Sequence, residues 1–402
     1  MLSYVSSEEG VKMRVLAIGA GKEQSYVIKK AKDMGLHVIA VDGNKGSSGF
    51  KYADKSYVVD ISNETEVIKI AEKEKIVAVL PTPIGRYLTT IGAVNDYLGL
   101  KGISKKAAFN CTDKMKTHEI LIEHGVKTAR QIKIRKGTSI EEINENFYYP
   151  FILKPRYGAG SKGVRVIRNS EELLSYYEEG ILVEEFMTGK EYGLDGIVRN
   201  GVFHLILVRE KVLTDFPFRQ EIGYIAPAPI FDKTLENIRL SAQKVCNAIG
   251  LTDCLLHADI IIEDDVIKWI ELSGRPSGLH ISSFMVPNVT GENYIQQQIN
   301  YLIGKNEEIV LHSFDVYKKM YLGFFSFSKI GYVTYVPDKK RFVNNDYVFD
   351  YHCHIKNGDY LDQIKDGSDL IDRGFFAITG QTIDEMCDRA QSIISKFHIE
   401  KG

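Results

Sequence analysis

Phe151-Ile-Leu-Lys154-Pro155-Arg-Tyr-Gly158-Ala-Gly160-Ser161-Lys162-Gly163-Val-Arg-Val is an apolar run that ends in a lysine and opens into a glycine-rich loop. A strand over the apolar part would present the Lys154 ammonium at a fixed place. Gly158, Gly160, Ser161 and Gly163 then fall within six residues. Glycine lets successive backbone N–H groups turn toward an anion, and its missing side chain allows close approach. A lysine beside such a loop predicts a phosphate cradle. The glycines alone would fit a plain hairpin turn. Lys154 before them, and the glutamates of Ile181-Leu-Val-Glu184-Glu185-Phe186-Met187-Thr-Gly189-Lys-Glu191-Tyr-Gly-Leu-Asp195 after them, favour the cradle.

Upstream, Arg14–Ile18 is a short apolar run before Gly19-Ala-Gly21, a helical pattern through Tyr26, Val27, Ala31 and Met34, and a strand over Leu36–Asp42. This βαβ unit approaches a dinucleotide fingerprint, but its third glycine position holds Gln24, so glycines that only make the turn are the better reading. Strands at Tyr57–Asp60 and Ile76–Leu80 flank a helix over Glu64–Lys73, a pattern that predicts a parallel sheet covered on both faces. Thr112 or Asp113 caps a helix that runs through Leu121, with Gly125 past its end. Lys114 opposes the helix dipole there, either as a solvated charge or because an anion binds beside it. Further strands are expected at Ile197–Val198 and Phe203–Val208, and helices near Ser170–Tyr177 and over Thr234–Ile249. The polar, proline-punctuated span Lys211–Pro229 reads as a lid or substrate loop. The tail predicts strands at Phe342–Cys353 and Phe375–Thr379 and a helix over Ile383–Phe397.

His257-Ala-Asp259-Ile-Ile-Ile-Glu263-Asp264-Asp265-Val-Ile-Lys-Trp269-Ile-Glu271-Leu-Ser273-Gly-Arg275-Pro-Ser277-Gly278 is the second informative stretch, a hairpin turning near Asp264–Asp265. A three-residue loop would set Asp259 opposite Glu271 and Ile261 opposite Trp269. Cross-strand partners lie about 4.5–5.5 Å apart at Cβ. Two carboxylates so close repel unless a cation sits between them, and hard oxygen ligands near phosphates point to Mg²⁺. An exposed acidic hairpin is the alternative. The apolar flanks and the distance from the turn favour the metal.

The 402 residues call for two or three domains. With 44% hydrophobic and 26% charged residues and a net charge of −2, nothing argues for nucleic acid or a membrane surface as partner. No apolar run approaches the ~18–20 residues of a membrane span. Met1–Gly10 lacks the basic and apolar regions of a signal peptide and reads as a leader before the first strand. Five cysteines without Cys-x-x-Cys spacing predict reduced thiols and a cytoplasmic protein. His352-Cys353-His354 puts two histidines on one strand face with no further ligand nearby, so no zinc site is expected.

Together, Lys114, the Lys154 loop, Glu184–Glu191 and the Asp259/Glu271 hairpin resemble, in order and spacing, the ATP-grasp superfamily of carboxylate–amine and carboxylate–thiol ligases. The likeness covers nearly the whole chain. It implies an α/β and α+β multidomain fold: an N-terminal parallel-sheet domain over 1–111, an ATP-grasp core over 112–310 with a small lid at about 127–190, and a C-terminal α/β domain over 311–402. It also implies that Lys114 and Lys154 hold the ATP phosphates, with Gly158, Gly160, Lys162 and Gly163 in the loop over them and Ser161 donating to the γ-phosphate. Glu184, Glu185, Phe186 and Met187 would face adenine, and Glu191 the ribose. Asp259 and Glu271 would carry Mg²⁺, with two ions expected and Mn²⁺ able to substitute. Ser273 stands where the family usually has a metal-binding asparagine. Arg275 would stabilise the transferred phosphoryl group.

Within the superfamily the nearest likeness is to bacterial L-amino-acid (dipeptide) ligases, carried by His257, Phe218-x-x-Glu221 and Arg275-Pro-Ser277-Gly278. Glu221 would then face the first substrate's amino group. Tyr224 replaces a frequent histidine, and Leu279 occupies the position that narrows the first-substrate pocket. The resemblance implies small carboxylate and amine substrates and a homodimer. The alternatives are a purine-pathway type of carboxylase or formyltransferase and a non-catalytic nucleotide-binding relative. The latter would not need Arg275.

Overall fold

The computed structural model describes residues 12–158, 160, 162–214, 220–305, 307–364 and 367–401. Met1–Gly10, Ser161 and Phe218 lie outside the described residues. The first unit is a parallel sheet of β1 (Arg14–Ile18), β2 (His37–Asp42), β3 (Lys55–Val58) and β4 (Ala78–Val79), in the order β3-β2-β1-β4. Near-continuous apolar runs in β1 and β2 are buried, as in a parallel sheet covered on both faces. Pairing in β3 begins and ends two residues before the expected strand, because Asp60 turns the chain by accepting the Ser62 N–H at 2.9 Å. Both Asp42 oxygens accept backbone N–H groups, from Ala20 at 2.7 Å and Asn44 at 2.8 Å. That carboxylate closes its own turn. Helices Leu88–Leu98 and Lys105–Thr112, which the sequence reading left out, lead to the helix Lys114–Glu123.

A small antiparallel sheet follows: β5 (Gln131–Lys133), β6 (Phe151–Lys154), β7 (Arg165–Ile167) and β8 (Leu182–Glu185), ordered β5-β8-β6-β7. Helices Ile140–Asn146 and Ser170–Tyr176 accompany it, and it has its own apolar core around Phe151, Leu153, Ile167 and Val183.

The central sheet contains β9 (Lys190–Arg199), β10 (Val202–Leu213), β11 (Glu221–Ala226), β12 (Cys254–Glu263), β13 (Val266–Ser273) and β14 (Met320–Phe324). A small sheet is built from β15 (Gly331–Tyr335), β17 (Tyr360–Leu361) and β19 (His398–Glu400), while β16 (Val348–Cys353) and β18 (Gly374–Thr379) join the central one. Its order is β13-β12-β9-β10-β11-β14-β18-β16, so the sheet runs across the expected boundary near 311.

Three expectations are corrected. The described parts of the span Lys211–Pro229 are largely strand rather than irregular loop: β10 continues to Leu213, and Glu221–Ala226 pairs with it and with β14, while 215–219 lie outside the described residues. Buried charges at Arg209, Glu210 and Lys211 interrupt the apolar pattern that would have marked the strand. In the hairpin, Ile260 rather than Ile261 faces Trp269, since the turn holds only Asp264 and Asp265, both at positive φ, and a bulge at Asp259/Ile260 makes up the difference. Phe342–Cys353 divides into the short helix Lys340–Val343 and β16, because Asn345 Nδ2 donates back to the Arg341 and Phe342 carbonyls at 2.9 and 3.1 Å.

Candidate active site

A cavity of about 460 Å³ opens where the three units meet. From the first unit come Glu23, on the helix Lys22–Asp33, and Pro83 and Ile84; from the small sheet and its loops Ile152, Lys154, Gly158, Gly160, Lys162, Val166 and Glu184–Met187; from the central sheet Glu191, Lys211, Glu221, Tyr224, His257, Asp259, Ile261, Ile270 and Glu271, followed by Arg275, Gly278 and Leu279. Ile152, Val166, Phe186, Met187, Ile261 and Ile270 give one part an apolar lining fit for a planar base. The rest is charged.

β6 ends by presenting Lys154, only 4% exposed, in an ion pair with Glu184 of the adjacent β8. Gln131 also donates to Glu184, and His118 Nε2 lies 3.7 Å away, so the Glu184 side chain is held among these partners beside the lysine. Asp113 caps the Lys114–Glu123 helix by accepting the Lys116 N–H at 3.3 Å, and it also accepts from Arg156 Nε and Nη2 at 2.8 and 2.6 Å. This ties Lys114 to the glycine loop, where its Nζ donates to Gly158 O at 2.7 Å. Burial lowers the Lys114 pKa, with Glu271 Oε2 at 4.0 Å opposing the shift. Lys114 is therefore a largely buried cation on the cavity wall, not a solvated charge.

Asp259 and Glu271 are paired across the hairpin as expected. Lys211, buried on β10, donates to Asp259 Oδ2 at 2.8 Å and Glu221 Oε1 at 2.9 Å. The other Asp259 oxygen, Oδ1, is buried with no hydrogen-bond partner among the described residues, and so is Arg275 Nε. Buried polar atoms are normally satisfied. An unpartnered carboxylate oxygen beside Glu271 fits a divalent cation, and an unpartnered guanidinium N–H fits an anion. Asp259 and Glu271 are the residues that could offer Mg²⁺ hard oxygen donors here, with phosphate and water needed to complete the set. Ser273 faces a separate recess of about 50 Å³ with Cys111, Glu271 and Arg275.

Of the remaining predicted residues, Gly163 backs the loop at φ 73° without reaching the cavity, and Glu185, Glu191 and Gly278 line it. Tyr224 is 3% exposed, and Arg209 lies 5.3 Å from its ring centroid. Burial, first, and then Arg275 and Arg209 hold the His257 pKa well below its ordinary value. Ser277 is corrected: it lies 1% exposed behind the wall, hydrogen-bonded to Asp195 and 3.2 Å from His257 Nδ1, and does not line the cavity. The sequence reading missed Glu23 and Lys211. Glu23 Oε2 accepts the Leu279 N–H at 2.8 Å, and Leu279 and His280 are held at φ 50° and 60°. A charged residue inside an otherwise apolar strand was the available signal for Lys211.

Residues 111–279 match the model of the ATP-grasp domain. They form an ATP-grasp domain. The chain is 26% identical over 259 residues to the alanine–anticapsin ligase of Bacillus subtilis (strain 168), covering 56% of this chain and 52% of that protein. It thus spans about half the length of this curated relative. In structure it is similar to an L-amino acid ligase from Bacillus licheniformis, with a TM-score of 0.81, 18% identity, and coverage of 97% of this chain and 99% of that one. A phosphoribosylglycinamide synthetase from Anaerococcus prevotii gives 0.72 at 21% identity, covering 98% and 100%. The ATP-grasp fold accordingly extends over both flanking units, with the parallel sheet before the core. Among the described residues no helix is long and apolar enough to cross a membrane.

Proposed function

We propose that this ATP-grasp chain is an ADP-forming ligase that activates a small carboxylate as an acyl phosphate and joins it to an amine, the carboxylate being an amino acid. The observation that carries the reading is the convergence of Lys114, Lys154 and Arg275 on one cavity with the paired Asp259 and Glu271, an orphaned oxygen and an orphaned N–H among them. A carboxylate does not condense with an amine at neutral pH, because its oxygen is a poor leaving group. Transfer of the terminal phosphoryl group from ATP gives a mixed anhydride; the amine attacks the acyl carbon, and phosphate leaves.

Each residue has work in that sequence. Lys114 and Lys154 bind phosphate oxygens, and Arg275 offers a planar fork to the transferred group. Asp259 and Glu271 would hold Mg²⁺, which when bound neutralises charge on the phosphates. The apolar lining and the glycine loop exclude water, to which an acyl phosphate is prone. Leu279, Ile84 and Pro83 bound the substrate end with Glu23. The amino-acid assignment draws on the named relatives. A homodimer belongs to the same proposal.

The test is product identity. Mg-ATP with pools of paired amino acids should release phosphate and ADP, and AMP with pyrophosphate would sink the acyl-phosphate route. Turnover with bicarbonate and no amino acid would favour a carboxylase instead.

A further inference from the structure

Three consecutive side chains in the first turn of the helix Lys22–Asp33 tie it to three separate walls of the cavity. Lys22 Nζ lies 3.0 Å from Asp372 Oδ1, Glu23 Oε2 accepts the Leu279 N–H at 2.8 Å, and Gln24 Nε2 donates to the Pro83 carbonyl. Each partner is, or adjoins, an apolar residue that lines the cavity: Ile371, Leu279, and Pro83 with Ile84. Ile371 belongs to the short helix Ser368–Ile371 between β17 and β18. That helix is anchored from beneath, since Leu370 is 0% exposed in the core that holds Tyr224 and Leu322, and Arg373 Nη2 donates to the Asp362 carbonyl at 2.7 Å. Gly367, just before it, donates its N–H to Gly160 O at 3.2 Å and lines the cavity too. The segment thus reaches from the glycine loop to the first helix, and Ile371 closes the cavity between them. Burial raises the Glu23 pKa, opposed by the Leu279 hydrogen bond and by the nearby Arg275 guanidinium. This end of the cavity therefore adjoins Arg275, on the side of the phosphoryl acceptor.

We propose that Pro83, Ile84, Leu279 and Ile371 enclose the side chain of the carboxylate substrate, that this side chain is apolar, and that Ile371, from the C-terminal part of the chain, is a specificity-determining residue. The assignment to the carboxylate substrate rests on the ligase reading; the apolar pocket does not. Four apolar residues gathered around one helix turn offer burial and no side-chain hydrogen-bond partner, so an apolar group gains there while a charged one loses its water. Such a pocket sorts its ligands by size, since one methylene gained or lost is worth about 10–200-fold.

The test is phosphate release with Mg-ATP over a series of L-amino acids of rising side-chain size, each offered as the carboxylate with glycine or glycinamide as the amine. Leucine or methionine should exceed glutamate and lysine by about 10-fold or more in kcat/KM. Ile371→Ala should shift the preference by about 10-fold toward a larger apolar side chain and Ile371→Trp toward a smaller one, with the KM for ATP changed by less than about 3-fold in both. A preference for a charged side chain, or variants that slow every carboxylate alike, overturns the proposal. If Ile371→Trp does not fold, Ile371→Ala decides. If no pair releases phosphate, the ligase reading falls, and binding then judges the pocket alone. With Mg-ADP present, L-leucine should raise the Tm of the wild type more than L-lysine or L-glutamate does, and Ile371→Ala should reduce that difference. Equal shifts with all three overturn the pocket as well.

Discussion

Lys211 shows how one buried cation organises this site. It sits between Asp259 and Glu221, with all three side chains largely out of water. Burial opposes its charge, but the two facing carboxylates outweigh burial and hold its pKa well above 10.5. Lys211→Met keeps the volume and leaves two carboxylates without their cation, which should destabilise the fold by about 3–5 kcal/mol in urea titrations. Because the folded pKa is raised, the stabilisation is fully present below the ordinary lysine pKa and is lost only as pH rises through the folded value. The gap between wild type and variant should therefore persist over about pH 8 to 9.5. A gap that closes there would mean the lysine is already losing its proton.

At the scale of elements, Asp113 joins the Lys114–Glu123 helix to the end of β6 by capping the first and pairing with Arg156 beyond the second. Burial would raise its pKa, but the Arg156 and Tyr157 hydrogen bonds more than offset this and bring it below 3.8. Asp113→Ala loses a cap worth about 1 kcal/mol together with a partly buried ion pair, and it loosens Lys114 from the glycine loop. Lower stability and a higher KM for ATP are expected together. Since the folded pKa is depressed, the stability difference should be full above about pH 4 and shrink as pH falls below it; a difference that persists in acid would assign the loss to the cap alone. The same elements show what the sequence could reveal. Asp259 and Glu271 were legible because strand alternation is regular and both sit among apolar residues. Their turn was not, because a two-residue loop with a bulge gives the same pairing there as a three-residue loop. Strand β11 and the end of β10 were hidden because buried charges look like loop composition when their partners, here Asp259 and Asp195, lie on other strands. Ser277 was misplaced because a loop motif does not say which side chain faces inward.

For the whole molecule, the cavity is where three packed units touch. Leu279 N–H to Glu23, Asn293 Nδ2 to the Tyr26 hydroxyl at 2.7 Å and the exposed Lys22–Asp372 pair at 3.0 Å link the first unit to the rest. Of these the exposed ion pair contributes little. A ligand filling the cavity would contact the small sheet and the central sheet at once and so stabilise their mutual placement. At 100 times its Kd, Mg-ADP should stabilise the fold by about 2.7 kcal/mol, or roughly 3 °C in Tm for a chain of this length. The cation's share can be separated by comparing Mg-ADP with ADP in EDTA. Wild type should gain more with the metal. In the double variant Asp259→Asn/Glu271→Gln the two gains should be equal, since amides leave no charge to hold a divalent cation, while Lys114 and Lys154 still bind phosphate. If the double variant kept the full metal-dependent gain, the carboxylate pair would not be the metal's holder, and Arg275 and the lysines would have to be explained by phosphate binding alone.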